Sequence, residues 1–301
     1  MNAQMAAAVS GSLSVQEIAR KDTLALGRFF ADVLGQNTPL ETIRKAIAPC
    51  NRGRLLAVAD DAGCLMVAPF EVACDGAATV GVPLFHPRAG ARRPSALSAA
   101  ADRICEYGVR TLHIALPCGG DLGDVFLGAG FLEGPMMLEM SGPAPPGPCV
   151  PEGRWIHYAP GRRLRFAQVF YRTLEASLDF PELPVCRRPA RLMRALEQRG
   201  AFTNEDFALL EIGDHAAGIA LLAMVGSSLE ILYVGLVPRH RGAGLSRTLM
   251  ARAAERAAAH GAPEMHVSVD DRNLPAVALY RKCGLSEKRA VRVYYRIEKK
   301  S

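Results

Sequence analysis

Residues 236–246, Leu-Val-Pro-Arg-His-Arg-Gly-Ala-Gly-Leu-Ser, have the residue types and spacing that hold a phosphate. Glu230 to Val237 reads as a strand buried on both faces, Pro238 turns it, and Ser246 to His260 reads as an alanine-rich helix with Leu245, Leu249 and Met250 turned inward. Between them, Arg241, Gly242, Ala243, Gly244, Leu245 and Ser246 offer consecutive peptide N–H groups at a helix entrance. Four donors lack intrahelical partners there and the helix dipole favours an anion. Gly242 and Gly244 let the backbone approach a ligand without side-chain collision. Taken alone, the same pattern also describes an ordinary strand-to-helix turn.

A second element lies downstream. After a short apolar strand, Met265 to Val269, come Asp270, Asp271, Arg272 and Asn273, then a compact helix from Leu274 to Lys282 that Gly284 stops. Together the two elements resemble the acetyl-CoA-binding motifs of the GCN5-related N-acetyltransferase (GNAT) superfamily. In that family Arg/Gln-x-x-Gly-x-Gly/Ala cradles the coenzyme pyrophosphate, and Asn-x-x-Ala-x-x-Leu-Tyr-x-x-x-Gly-Phe follows one strand later. The first pattern is read here from Arg241, with Gly244 and with Ser246 in place of its last small residue. The second is Asn273, Ala276, Leu279, Tyr280 and Gly284, with Leu285 for phenylalanine. The resemblance spans residues 154–298.

It implies a mechanism. The pantetheine arm pairs with the strand before the loop, where two parallel strands splay, so Leu236 and Val237 supply its backbone partners and polarise the thioester carbonyl. Tyr280 matches the family's general acid, which protonates the departing thiolate; packing of an amphipathic helix is the other reading of that residue. Glu230, at the start of the strand, is a candidate base for the attacking amine, or a solvated strand-end carboxylate. Asp270 and Asp271 are further acidic candidates or parts of a polar turn, and Asn273 is a helix cap or a coenzyme contact. His240, beside the loop, is a candidate phosphate contact.

The positioning elements repeat. At 301 residues the chain has room for two domains, and Ser141 to Pro148, rich in proline and glycine, reads as a connector. The expected division is a tail at 1–12, a first domain at 13–140, a linker at 141–150 and a second domain at 151–301. Gly108 precedes His113 by five positions, as Gly261 precedes His266, and each histidine is followed after 13 or 14 positions by Phe126 or Tyr280. The first half reads as a diverged copy that is chemically disabled. Phe126 has no proton to give, and the loop counterpart, Pro87 to Pro94, has one glycine and a proline at the helix entrance. Val15 to Ile47 reads as helical, with Leu24, Leu26, Phe29, Phe30, Val33 and Leu34 as buried candidates.

In the second half, Trp155 to Tyr158 reads as a strand, and Leu164 to Leu178 and Ala190 to Gln198 as helices. Phe207 to Ile212, His215 to Val225 and Leu229 to Val237 form a meander turned by Gly213-Asp214, and Val291 to Ile297 closes the sheet. The expected fold class is α/β: two tandem GNAT-like domains, each a mixed, mostly antiparallel sheet with a central parallel splay and helices on both faces.

Half the residues are hydrophobic, 22% are charged and the net charge is +6, which suits a polyanionic ligand; the scattered basic residues read as solvated surface and give no specific nucleic-acid site. No apolar run reaches the ~18 residues of a membrane span, so a cytoplasmic protein with no membrane partner is expected. The eight cysteines show no C-x-x-C pair or zinc spacing and read as reduced core thiols, Cys283 included, with no metal. The resemblance thus implies an N-acetyltransferase with acetyl-CoA as co-substrate, a small-molecule or peptide amine as acceptor, and a monomer or homodimer. A non-catalytic acyl-CoA-binding or sensor protein is the alternative.

Overall fold

The computed structural model describes residues 12–18, 26–34, 54–144, 153–182 and 189–298. The chain divides into two compact units, residues 1–133 with 294–301, and residues 134–293. Both belong to the α/β class, with seven helices among the described residues.

In the first unit, β1 (Ser14–Ile18), β2 (Arg54–Asp60), β3 (Gly63–Val72), β4 (Ala77–Val80) and β6 (Thr111–Pro117) lie in that order, and β5 (Leu84–Phe85) pairs back onto β3. The pairings are antiparallel except β4 with β6, which run parallel. Helices α1 (Gly27–Leu34), α2 (Arg93–Cys105) and α3 (Leu122–Gly128) accompany them. Val15 to Ile18, expected in a helix, forms β1 instead, because Val15 to Ile18 pair with Val58 back to Leu55. The helical spacing holds further on: Leu26, Phe29 and Phe30 are buried, and Val33 and Leu34 pack against them. Leu24 and most of the expected tail lie outside the described residues.

The second unit orders its strands β7 (Leu132–Gly142), β12 (Met265–Asp270), β11 (Ser228–Leu236), β10 (His215–Val225), β9 (Phe207–Ile212) and β8 (Arg154–His157). Its helices are α4 (Arg163–Thr173), α5 (Pro189–Glu197), α6 (Ser246–His260) and α7 (Leu274–Lys282). The meander appears as expected. Ile212 faces His215 across a two-residue turn in which Gly213 has φ +58°, a value open to glycine.

Ser141 and Gly142, expected in the connector, are instead the last rungs of β7, opposite His266 and Met265. Gly142 is required there, since a Cβ would sit 2.4 Å from the carbonyl oxygen of Gly284. Residues 145–150 of the expected connector are outside the described residues. The unit boundary falls before Gly134, so nearly all of β7 counts with the second unit. The closing strand β13 (Ser286–Ile297) starts earlier than its alternating residues suggest and re-enters the first unit at Tyr294.

Two apolar clusters fix the second sheet. Phe166, Phe170, Met193, Phe207 and Leu209 gather under α4 and α5, with Phe202 stacked on Phe207 at 4.2 Å. Met250, Ala253, Ala257, Val267, Val277 and Tyr280 fill the space below α6 and α7. On α6, Arg256 is buried by design of its partners: its Nε donates at 2.8 Å to Asp206, which also accepts from Thr203 N (2.6 Å) and contacts His260 Nε2 (2.9 Å). No helix among the described residues is long and apolar enough to cross a membrane.

Burial raises the Asp206 pKa, but bonds from Thr203, Arg256 and His260 outweigh it and hold the carboxyl below its ordinary value of 3.8. A depressed folded-state pKa contributes stability above the unfolded value and loses it as pH falls toward the folded one. Asp206→Asn should therefore destabilise at pH 7 by about 3 kcal/mol, leaving Arg256 with only the more exposed Glu205 as its anion, and should lose less stability than wild type between pH 5 and pH 3. Urea unfolding at the three pH values checks this.

Candidate active site

β11 and β12 pair in parallel at only two positions, Leu229 with Met265 and Glu230 with His266, and then part. Beyond those rungs each strand presents unpaired backbone groups to the gap, and buried N–H and C=O groups require partners. On its other edge β11 stays bonded to β10 but carries a bulge: Leu222 faces Ile231 while Leu221 faces Tyr233, leaving Leu232 as the extra residue. The gap opens into a cleft of about 240 Å³ walled by Ile231 to Leu236 on one side and Val267 to Val269 on the other, with Tyr280, Asn273 and Asp179 also in its lining.

The loop after β11 reaches the cleft at Arg241. Gly242 and Gly244 have φ +78° and +80°, and α6 starts at Ser246. Peptide N–H groups of Gly242, Ala243, Gly244, Leu245 and Ser246 have no acceptor among the described residues, whereas His240 and Arg241 N–H groups bond back to Val237 and Pro238. Five adjacent donors at a helix entrance make an anion cradle. The two left-handed glycines sit where the pyrophosphate pattern needs its small residues when it is read from Arg239 as Arg-x-x-Gly-x-Gly. In that register Ser246 is no departure; it is the first residue of α6.

Arg241 has another task. Its guanidinium donates to the carbonyls of Leu236 (3.1 Å), Thr173 (3.0 Å), Glu175 (2.7 Å) and Ala176 (3.1 Å), so it caps the end of α4 instead of facing the cradle. Helix α4 stops at Thr173, five residues earlier than its apolar spacing suggests. The released segment carries Ala176 and Phe180 at φ +49° and +43°, left-handed values that cost ~1–3 kcal/mol each outside glycine. Asp270 and Arg272 hold its far side: Asp270 accepts from Phe180 N at 3.0 Å and from Arg272 Nε at 2.9 Å, and Arg272 NH1 reaches Glu182 at 2.5 Å. Asp270 is fully buried; desolvation pushes its pKa up, and the Arg272 bonds with two backbone N–H groups pull it below the ordinary value. It is a structural anion, as the polar-turn reading of this cluster requires.

Tyr280 lines the cleft with its ring buried. Burial, then the nearby Asp179 charge, pushes its phenol pKa upward, so the hydroxyl keeps its proton. Tyr233, whose pKa burial pushes up to about 12, is held at 3.0 Å by Thr173 Oγ1. Asn273 both caps α7, accepting from Ala276 N at 3.3 Å, and lines the cleft.

Not every expected residue arrives. Val237 is buried and its N–H is committed to Ala217 O at 3.0 Å, so the backbone facing the gap comes from Leu232 to Leu236. Glu230 sits on the last paired rung, outside the cleft lining, with its carboxylate 3.5 Å from Arg199. Asp271 does not line the cleft either. His240 accepts from Arg239 Nε at 3.1 Å, and burial with Arg239 lowers its pKa. His266, read as a core group, is half exposed beside Glu264. Cys283 packs against the α7 core, and burial raises its pKa. Asp179 was not legible as a site residue, because the segment that carries it reads as the end of a helix.

The first unit repeats the scaffold without the chemistry. Phe131 N bonds Phe126 O at 3.0 Å as Leu285 N bonds Tyr280 O at 3.1 Å, and Gly130 and Gly284 take φ +83° and +86°. His113 pairs with Thr79 on β4 as His266 pairs with Glu230 on β11. Yet Phe126 is fully buried against Phe131, and the loop arginines Arg88 and Arg92 both bind Asp60.

Residues 171–285, which contain the splay, the cradle and Tyr280, match the Acetyltransferase (GNAT) family model. The second unit thus carries a GNAT-family segment. Its fold is shared, over 95% of both chains, with a GCN5-related N-acetyltransferase from Sphaerobacter thermophilus at 17% identity and a TM-score of 0.61. A tandem GNAT protein from the clavulanic acid biosynthesis pathway aligns over 96% of this chain and 100% of its own, at 13% identity and a TM-score of 0.54. A glucosamine N-acetyltransferase region in a fungal multi-domain β-N-acetylglucosaminidase aligns over 96% of this chain and 38% of that one, at 13% identity and a TM-score of 0.64. These likenesses show the GNAT fold along the chain, and the family match supports acyl transfer in general. No curated protein matches the chain.

Two substitutions separate the cradle from the clamp. Gly244→Ala forces a side chain to φ +80° and should weaken pyrophosphate binding about tenfold in calorimetry, by ~1–2 kcal/mol. Arg241→Ala frees the α4 carbonyls and should lower stability by ~1–3 kcal/mol in urea unfolding, with the pyrophosphate affinity changed less than by the glycine variant.

Proposed function

We propose that the second unit transfers an acetyl group from acetyl-CoA to a primary amine by direct attack. The observation that carries this reading is a cleft lined by a strand splay and a buried, protonated tyrosine, followed directly after its lining residue Arg241 by five N–H donors without an acceptor among the described residues. The donors from Gly242 to Ser246 suit a pyrophosphate, and the open strand edges suit an extended amide-bearing arm. Acetyl-CoA, when bound, supplies the acyl group as a thioester.

The protein's own groups divide the remaining work. The cradle fixes the anionic end, while backbone from Leu232 to Leu236 aligns the arm along β11. Tyr280 holds a proton next to the gap and can give it to a leaving sulfur, which lowers the cost of the negative charge developing there. Apolar walls from Ile231, Val267 and Val269 keep the reacting region dry and strengthen that hydrogen bond.

Purified protein should release free thiol from acetyl-CoA in the presence of at least one member of a panel of primary amines, peptides included. Tyr280→Phe should reduce kcat about 100-fold while calorimetry gives an unchanged coenzyme A affinity. Thiol release that is absent with every amine, despite tight coenzyme binding, would instead mark a sensor.

A further inference from the structure

The cleft holds one carboxylate that the reading above does not use. Asp179 sits in the segment between α4 and α5, lines the cleft with Tyr280 and Tyr233, and is the one carboxylate in that lining among the described residues. It is positioned from several directions. Its Oδ1 accepts from Asp270 N at 2.9 Å, and the Asn273 side chain also bonds it. The segment around it is tied by Arg241 at Ala176 and by Asp270 at Phe180, so the left-handed turns on either side are locked.

The charged and titratable groups facing Asp179 are Asp270 at the end of β12, Arg272 just past it, Tyr233 on β11 and Tyr280 on α7, with Arg241 near Tyr233. Two of these oppose each other: Asp270 disfavours a second negative charge, and Arg272 favours it. Arg272 is already engaged by Asp270 and Glu182. Burial dominates, and the Asp179 pKa is raised above its ordinary value of 3.8. Such a carboxylate is a better proton acceptor than a solvated one, and it prefers a cation beside it.

We infer that Asp179 receives the ammonium group of the acceptor and removes its proton, acting as the general base opposite Tyr280. This rests on the N-acetyltransferase reading. Asp179 takes one proton from the ammonium. The freed nitrogen lone pair forms the bond to the acyl carbon, and the carbon–sulfur pair departs to sulfur. Tyr280 gives sulfur its proton and recovers one from the acylated nitrogen, and Asp179 returns its own to water. Glu230, bound to Arg199 outside the lining, has no part in this step.

The test compares wild type, Asp179→Asn and Glu230→Gln with the best amine from the panel, measuring kcat/KM from pH 5 to pH 10. Asparagine can still accept the Asp270 N–H, so the segment should stay in place, and an unchanged coenzyme A affinity verifies that. Asp179→Asn should lower kcat/KM about 100-fold at pH 7. Its rate should then climb roughly tenfold per pH unit toward the pKa of the amine, because only amine already deprotonated in solution can react. Glu230→Gln should stay within about threefold of wild type with the same profile shape. If Asp179→Asn keeps the wild-type rate and profile, or if Glu230→Gln shows the loss instead, Asp179 is not the base although the enzyme remains an acetyltransferase. If no amine is acetylated by the wild type, the acetyltransferase reading fails and the role of Asp179 fails with it.

Discussion

The second unit depends on two parallel strands that bond at two rungs and then let go. Continued pairing of β11 with β12 would satisfy every backbone group and leave no room for a ligand. Parting after Glu230 and His266 converts a sheet interior into a slot lined by backbone donors and acceptors. The separation is held from both sides. On the β10 edge the bulge at Leu232 bends β11, and on the other edge β7 keeps six consecutive rungs with β12, from Met137 opposite Asp270 to Gly142 opposite Met265. One strand is bent while the other is kept straight by its far neighbour, so the gap is a property of the sheet and not of a mobile loop.

Polar interactions around the slot act mainly as fasteners. Arg241 binds four carbonyls, and Asp270 gathers backbone N–H groups and the Arg272 guanidinium. Both draw on the same 174–182 segment, whose left-handed residues would relax without them. The cradle is the opposite case: its N–H groups have nothing to bind among the described residues. Donors inside the protein that are saturated give rigidity, and those left unsaturated at a helix entrance give binding. In the first unit Asp60 occupies Arg88 and Arg92 of the corresponding loop, and Phe126 closes the core where Tyr280 stands in the second.

Much was written plainly in the residue order. The period-two runs, the Gly213-Asp214 turn, the helix from Ser246 to His260 and its glycine stop all rest on contacts within a few residues, and they formed where local chemistry put them. The conformation of the glycine loop was legible for the same reason: glycine at a left-handed position and a helix entrance are local facts. So was the internal repeat, because glycine, histidine and aromatic spacing survives when other residues drift. Val15 to Ile18 went astray because four alternating residues fit either period until Leu55 to Val58 arrive to pair with them.

What residue order left open belongs to long-range partners. The end of α4 is capped by Arg241, 68 positions away from Thr173, and Asp270 holds Asp179 and Phe180 in the segment that follows. The fate of Glu230 depends on Arg199 and on which rung is the last before the splay, and the N–H of Val237 was taken by Ala217 across the sheet. Sequence alone determined which residue types were present and which short segments they would form. Tertiary structure decided which of those groups stayed free, because a hydrogen bond to a distant residue removes a donor or a charge from chemistry as surely as a substitution would.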